Sequence, residues 1–328
     1  MCGRGQFPAA PHTPRAAHRT NEWNTRDMQG HCPDSADAQD LIPLSRDRHA
    51  TRRWRKPAAY GFARNRRLVP LVLAETDLAA AAMPLVFAQG RDDDLPQPVA
   101  LLRLHADTSP YVTDDGRWLA PYIPAVLRVY PFSARPAPQD DATAPPRMEL
   151  LIDEGSGLIS DDARDARFFD PYGAPSKALD AVIGFFRHYE TSAAATRTAI
   201  QTLMQARTPD GAGLFTPLRH GDTVQQGLLA LDRAAFDALE DDSFLQLRAA
   251  GAIALAMAHF ISKTQLDWLA RAERALAQQS DPQNTAQDSA AGSSGPDIAD
   301  FLSALAIAQQ NDGQVQHAAP TTTTKGTT

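Results

Sequence analysis

GRWLAPYIPAVLRVYPFSARP, at residues 116–136, is the most informative stretch of this chain for its fold. It contains two tyrosines, a tryptophan, a phenylalanine and four prolines, and its only charged residues are three arginines. Aromatic side chains bury large apolar areas and proline stiffens the backbone, so we expect this stretch to pack against most of its domain. Pro121 and Pro124 suit the first turn of a helix, whereas Pro131 disfavours helical geometry at Tyr130. The sequence therefore predicts a helix of barely two turns.

This short helix is predicted to carry its aromatic residues on one face and Arg128 on the other. At about 100° per residue, the side chains that share the apolar face are Tyr122, Ile123, Val126, Val129 and Tyr130. One interpretation is a core helix, with Trp118 and Tyr122 on the buried side and a solvated arginine. The other interpretation is a pocket lined by the tyrosines and Arg128.

Composition and charge narrow the classes of function. The 328 residues can form one large domain or two small ones, and 43% of them are hydrophobic and 22% charged. A formal net charge of −7 argues against a dedicated nucleic-acid-binding protein, because phosphate binding needs clustered positive charge. The longest apolar run, at residues 249–261, is shorter than the roughly 20 residues that span a bilayer. We therefore expect neither a nucleic-acid partner nor a membrane-spanning helix.

The N-terminal region predicts the cellular compartment. Residues 1–23 contain no apolar segment of the kind that forms a secretory signal peptide, so we expect a cytoplasmic protein. Cys2 and Cys32 both lie in the N-terminal extension, where they cannot link parts of the core through a disulfide. This cysteine usage suits a reducing compartment.

Composition also divides the chain into three regions. Residues 1–40 are polar and aperiodic and are predicted to be disordered, residues 41–277 should form the folded domain, and residues 278–328 form a low-complexity tail. Within the tail, residues 297–310 (DIADFLSALAIAQQ) have an N-capping aspartate and an apolar face made of Ile298, Phe301, Leu302, Leu305 and Ile307. This predicted short amphipathic helix is hypothesised to be a recognition segment.

Short repeats of strand and turn dominate the N-terminal half of the predicted domain. Apolar runs bounded by turn residues predict strands at 68–72, 83–87, 98–105 and 148–153, and a strand with its turn at 168–173. Such closely spaced strands favour an antiparallel or mixed sheet over a doubly wound parallel one. A short helix is predicted at 75–82. No glycine-rich phosphate loop follows any strand, so no cofactor is predicted.

The C-terminal part is predicted to be helical. Ser176 is a good N-cap for a long helix that runs through Tyr189 and as far as Met204, because its apolar residues repeat every 3.6 positions. The other predicted boundaries are a hairpin over residues 214–231, N-caps at Asp232 and at either Asp242 or Ser243, and a joint between helices at Gly251. The predicted fold class is α+β, with a mostly antiparallel or mixed sheet in the N-terminal half and helices in the C-terminal part.

Few residues of the predicted domain offer chemistry. Asp153 and the following Glu154 are interpreted first as acidic residues of a turn, and they are general acid or base candidates only in principle. His259 lies in an apolar helical run, which leaves open a hydrogen-bonded core histidine or a ligand. The histidines of this domain show no i, i+3 or i, i+4 spacing and are joined by no cysteine, so no metal site is predicted. The candidate binding residues are Trp118, Tyr122, Arg128, Tyr130, Asp153 and His259.

Four segments resemble a known family in the expected order along the chain. They read GRWLAPYIPAVLRVYPF, MELLIDEGSGLI, ARFFDPYGAPSKAL and LLALDRAAFDALEDDSFLQLRAAGAIALAMAHFIS. Together they resemble the bacterial SapC family over about residues 41–276. The family name comes from an association with bacterial surface layers, so the resemblance implies a surface-layer or envelope context. It implies no catalytic residues that can be carried over.

Two classes of function follow from the sequence. The resemblance favours a non-catalytic accessory protein that works with envelope or surface-layer proteins and associates with the cell surface. The alternative is a cytoplasmic enzyme, or a protein that binds a small molecule such as a sugar or peptide, with a pocket near residues 116–136. The sequence does not predict an oligomeric state.

Overall fold

The computed structural model describes residues 41–90, 94–137 and 147–279 of the chain. The predicted disordered extension, residues 1–40, and the predicted amphipathic helix, residues 297–310, lie outside the described residues. The fold below is therefore that of the central part of the chain.

This part of the chain alternates short strands with helices. In chain order its strands are β1 (Leu41–Pro43), β2 (Arg53–Trp54), β3 (Leu68–Pro70), β4 (Leu85–Ala88), β5 (Gln97–Leu101), β6 (Phe132–Pro136), β7 (Met148–Asp153), β8 (Ile159–Ser160), β9 (Ala166–Arg167), β10 (Phe215–His220) and β11 (Thr223–Leu231). Its helices are α1 (Arg46–His49), α2 (Thr76–Ala82), α3 (Ala125–Arg128), α4 (Lys177–Gln205), α5 (Arg233–Asp237), α6 (Asp241–Ala249), α7 (Ala252–Ser262) and α8 (Thr264–Gln279). Every strand pair in the described residues is antiparallel, which confirms the predicted α+β class.

The largest sheet has five strands in the order β10-β11-β4-β5-β3. Its central strand β4 is apolar without alternation, and Leu85, Val86 and Phe87 are all fully buried. A strand of this kind must be covered on both faces, because each successive side chain points to the opposite side. Val86 lies opposite Val99 of β5, so the core of the protein passes through this pair of strands.

Two smaller sheets surround a second apolar cluster. Their strand orders are β1-β7-β6 and β8-β2-β9. Trp54 from β2 meets Phe132 of β6 edge to face, with 4.7 Å between ring centroids, and Phe168 closes the cluster with Ile152 of β7. Aromatic rings of this size bury enough area to hold short strands together.

The long helix α4 connects the two clusters. Its N-terminal turns place Leu179 in the cluster around Trp54, and its C-terminal turns place Ile200 and Leu203 in the main core. The predicted N-cap is confirmed, since the Ser176 hydroxyl accepts a hydrogen bond from the backbone N–H of Leu179. One helix therefore fixes the smaller sheets against the large one.

The central aromatic stretch forms less helix than its spacing predicts. Only α3, a single turn, is helical, and Pro124 precedes it in an extended conformation. Proline disfavours helical geometry in the residue before it, so Pro124 keeps Ile123 out of the helix. The buried residues of α3 are Ala125 and Leu127. The predicted face is therefore wrong as a helical face, although Tyr122, Ile123, Val126 and Val129 still pack against the two clusters.

Other local predictions have mixed outcomes. The hairpin, the N-cap at Asp232 and the joint at Gly251 are confirmed, and the glycine adopts a left-handed φ of 71°. Of the strand and turn predicted at 168–173, the turn is found, since the Gly173 N–H donates to the Asp170 carbonyl oxygen, but the strand is displaced because β9 ends at Arg167. The N-cap predicted at Asp242 or Ser243 is wrong, since Glu240 occupies that position and α6 begins with two aspartates. Acidic side chains also stabilise a first turn through the helix dipole, and this explains their presence there.

The described helices include no single one with the length and apolar composition of a membrane span. The pair α6 and α7 meets that test only when taken together, across a bend of 95°.

Candidate functional site

A buried carboxylate organises the aromatic stretch. Glu75 ends a 3-10 turn in front of α2 and is only 5% exposed. One of its oxygens accepts hydrogen bonds from the Tyr122 hydroxyl at 2.6 Å and from the Ala125 backbone N–H at 2.8 Å. The other accepts from the Val72 backbone N–H at 3.2 Å. A buried carboxylate needs such donors, so Glu75 fixes α3 to α2.

Arg128 lies over Tyr122 rather than on the opposite side. The side chain is exposed, with its guanidinium carbon 5.6 Å from the centre of the Tyr122 ring and one nitrogen 3.4 Å from the Tyr122 hydroxyl. The predicted separation of the two residues is therefore wrong. The reason is that Tyr122 lies before the start of α3 and outside any helix, where an angle of 100° per residue does not apply.

Tyr122 acts here as a hydrogen-bond donor. Burial raises the pKa of its phenol well above the ordinary value, and the hydrogen bond to the Glu75 carboxylate raises it further, while nearby Arg128 opposes the shift. The hydroxyl thus keeps its proton at physiological pH. It holds Glu75 in place and does not serve as a base.

An apolar cleft adjoins this cluster along α4. It has a volume of about 80 Å³ and is lined by Leu71, Val72, Leu95, Pro96, Gln97, Pro98, Pro136, Tyr189, Glu190, Ala193, Thr196, Arg197 and Ile200. The turn that carries Glu75 is tied to the same helix, because the Thr196 hydroxyl accepts from the Leu73 backbone N–H at 2.7 Å. Cleft and carboxylate therefore belong to one structural unit.

The polar side chains that line the cleft are Gln97, Tyr189, Thr196 and the ion pair of Glu190 with Arg197. Burial raises the pKa of the Tyr189 phenol, and the negative charges of Glu75 and Glu190 add to the shift. Arg197 lies 2.9 Å from Glu190, and each side chain is about one-third exposed, at 32% and 35% respectively. This pair adds a charged, partly exposed side to a cleft whose walls are mostly apolar.

A row of aromatic rings connects the remaining candidates from the sequence. Trp118 donates from its indole nitrogen to the Tyr122 carbonyl oxygen at 2.9 Å and lies 5.9 Å from the ring of Tyr60. The row continues through Phe62, which stacks on Tyr130 with 4.0 Å between centroids. At its far end the Tyr130 hydroxyl donates to Asp153 at 2.6 Å. The structure therefore brings five of the six predicted residues into one connected region.

Comparison with known protein families gives a match over the part of the chain that contains this region. The model of the SapC family matches residues 44–269. This chain belongs to the SapC family. No curated protein and no solved structure gives a match.

All the residues of the carboxylate cluster and of the cleft fall within the matched SapC region. They are therefore part of the family domain. The predicted segment 297–310 lies beyond the end of the match.

His259 is the sixth candidate from the sequence, and the SapC fold places it elsewhere. It is fully buried between α7 and the large sheet, and it is not among the residues that line the cleft. Its Nδ1 donates to the Leu85 carbonyl oxygen at 2.8 Å and its Nε2 accepts from the Leu231 backbone N–H at 3.1 Å. Burial lowers the pKa of the imidazole to about 4. Both ring nitrogens are thus used in joining two strands to α7.

Sequence reasoning missed Glu75 and the lining of the cleft. Glu75 opens the apolar run ETDLAAAA, where an acid is expected at the start of a helix for its favourable dipole interaction. What distinguishes it from such a residue is its burial and its hydrogen bonds from the Tyr122 hydroxyl and the Ala125 N–H, which lie about 50 residues away in sequence. Within the described residues, no group of histidine, cysteine and acidic side chains is arranged to hold a metal ion.

Proposed function

We propose that this SapC-family protein is a non-catalytic binding protein whose α4 cleft takes an apolar side chain of a peptide or protein partner. The observation that carries the proposal is the lining of the cleft, in which proline, leucine, valine, isoleucine and alanine side chains form most of the wall, beside Gln97, Tyr189, Thr196 and the Glu190–Arg197 ion pair. Apolar walls with a few placed polar groups are typical of binding sites.

The size of the cleft supports a side chain rather than a cofactor as occupant. Its volume of about 80 Å³ is roughly half that of a cavity of about 150 Å³ that holds a benzene ring. Sites for cofactors and drug-sized ligands are usually about 300–1,000 Å³. An aliphatic side chain fills the smaller space and leaves the rest of the partner outside.

The ion pair supports a peptide as the source of that side chain. Glu190 and Arg197 lie at the solvent-facing part of the cleft, where they can accept from and donate to the backbone amides of a bound segment. The neighbouring Glu75 carboxylate and Tyr122 phenol, which do not line the cleft, are hydrogen-bonded to each other. Their geometry supports a structural role and not a chemical step.

The family context supports the choice of partner. SapC resemblance implies work at the surface layer or envelope, so we infer that the partner is an envelope or surface-layer protein. The cytoplasmic location expected from the sequence and an association with the cell surface are both compatible with this role. Fractionation of cells, with surface protease treatment, distinguishes the two locations.

A second candidate function is the binding of a sugar on the aromatic row. Tyr60, Phe62, Trp118 and Tyr130 are only partly buried, and their rings are near enough to present a continuous surface. Ring faces of this kind pack against the apolar faces of sugars, as they do against other flat apolar groups. This alternative predicts binding that depends on Trp118 and not on α4.

The experiment fills the cleft without disturbing the core. Ala193→Phe places a ring in the cleft, and Ala195→Phe places the same ring on the exposed side of α4. Each variant is measured against an array of short peptides from envelope and surface-layer proteins of the same organism, and against surface-layer and cell-wall glycans. We expect Ala193→Phe to weaken peptide binding by about tenfold or more and Ala195→Phe to leave it unchanged. Equal binding by both variants, or binding of glycans alone, contradicts the proposal.

A further inference from the structure

Helix α7 is apolar on the side that faces solvent. Its sequence, AIALAMAHFIS, contains no acidic residue, lysine or arginine. The inward side packs on the core through Leu255 and His259, while Ala254, Met257 and Ile261 recur along the outward side. Ile261 is 66% exposed. Helices that are apolar all round are normally covered all round, so this outward side is the kind of surface that takes a partner.

Helix α2 extends the same apolar surface. The two helices pack side by side and run parallel, since Leu73 lies against Gly251 at one end and Gln265 donates to the Ala81 carbonyl oxygen at 3.4 Å at the other. Leu78 points outward from α2 and is 60% exposed. We name the joint surface the outer strip, and its residues are Ala74 of the 3-10 turn before α2, Leu78 and Ala81 of α2, and Ala254, Met257 and Ile261 of α7.

The outer strip has a shape onto which a third helix can dock. Four of its six residues are alanine or the flexible methionine, which lets a third helix approach the two backbones closely. Leu78 and Ile261 stand above them as large apolar contacts. A helix with bulky apolar side chains on one face complements such a surface.

We propose that residues 297–310 of the same chain dock on the outer strip as an amphipathic helix. The sequence of this segment places Phe301, Leu302 and Leu305 on one helical face. A helix of this length is marginal in water unless its apolar face is packed. Docking therefore buries the apolar face of the segment and the apolar surface of the outer strip against each other.

The chain between the two is long enough for this contact. Helix α8 starts directly after α7 at Thr264 and ends at Gln279, so at 1.5 Å per residue its end lies within about 24 Å of the strip's C-terminal end. Residues 280–296 are rich in Ser, Gln, Asp, Ala and Gly, and a chain of that length and composition has an expected end-to-end span of about 20–25 Å. These two lengths match, which is the condition for a high effective concentration within one chain.

Charge favours one orientation of the docked segment. Asp297 and Asp300 lie at its start, and residues 297–310 contain no lysine or arginine. Lys263 is exposed immediately after α7. With its N-terminus at Lys263, the segment runs antiparallel to α7, and both the ion pairs and the helix dipoles are then favourable.

Hydrogen exchange on the full chain tests the contact. We expect amides of residues 297–310 to exchange at least about tenfold more slowly in the full chain than in a synthetic peptide of the same sequence. Ile261→Glu should abolish that protection, and Ala195→Glu, an exposed change on α4, should leave it intact. Leu305→Glu gives the same test from the tail side without touching the folded domain.

Three results overturn this proposal. They are exchange as fast as in the peptide, protection that survives Ile261→Glu, and protection that falls on dilution. The last result assigns the strip to a second copy of the chain. None of these measurements depends on the α4 cleft, so the outcome is separate from that of the proposed function.

Discussion

At the scale of single residues, the hydrogen bonds of Glu75 connect parts of the chain that the sequence keeps far apart. We predict that Glu75→Ala destabilises the protein by about 2–4 kcal/mol, because it leaves the Tyr122 hydroxyl and the Ala125 N–H without an acceptor. Urea unfolding measures this loss. Asp77→Ala, an exposed acid of α2, is the control and should cost less than about 1 kcal/mol. Equal stability of the two variants would show that Glu75 is an ordinary helix-start acid.

A second residue-scale prediction concerns Trp118 and Arg128. Trp118 packs on the core and donates a hydrogen bond, so Trp118→Ala should cost about 3 kcal/mol. Arg128 is exposed and contacts one ring, so Arg128→Ala should cost about 0.5 kcal/mol or less. Thermal melts compare the two variants. An Arg128→Ala variant that unfolds would contradict the exposed position of this side chain.

His259 predicts a dependence of stability on pH. Its pKa is about 4 in the folded protein and about 6.5 in the unfolded chain, so between these values the unfolded chain binds more protons. The corresponding stability is present above about pH 6.5 and is lost as the pH falls towards 4. It amounts to about 3 kcal/mol at most.

The test of His259 is a difference between variants, because carboxylates also titrate in this range. His259→Gln should flatten the fall in unfolding free energy between pH 7 and pH 4.5, measured by urea unfolding, relative to the exposed His188→Gln. Identical pH profiles of the two variants would mean that His259 is not the buried neutral group described here.

At the scale of elements, capping residues have predictable effects. Ser176 begins α4, and its hydroxyl accepts from Leu179 and donates to the Arg167 carbonyl oxygen at 2.5 Å. We predict that Ser176→Ala lowers stability by about 1 kcal/mol and that Ser176→Thr, which keeps a hydroxyl, retains most of it. Circular dichroism during urea unfolding measures both. A neutral Ser176→Ala variant would show that α4 depends on packing alone.

The sequence predicts elements well where a local signal and the core agree. The apolar run of β4, the hairpin of β10 and β11, and the cap of α4 combine both kinds of signal, and each is found. The stretch at 116–136 failed because two prolines that suit a helix start also restrict the residues before them. The helical period of 100° per residue does not hold in this stretch, because the backbone is extended at Pro124.

At the scale of the whole molecule, α4 joins two apolar clusters and forms one wall of the cleft. The cleft could not be predicted from the sequence, because its lining comes from four separate parts of the chain between Leu71 and Ile200. Within its own segment of the sequence, each lining residue looks like a common strand, loop or helix residue. Trp118, Tyr122 and Arg128 were found because they lie close together in one unusual stretch.

The α4 cleft as the peptide-binding site is tested most directly by methyl NMR of the full chain, with a peptide that binds the protein in the peptide array. We predict that the methyl signals of Ile200 and Leu71, which line the cleft, shift on addition of peptide. The signals of Ile261 on α7 and Ile159 on β8, which lie outside the cleft, should stay in place. Shifts confined to residues outside the cleft, with Ile200 and Leu71 unchanged, would contradict the assignment of the α4 cleft as the binding site.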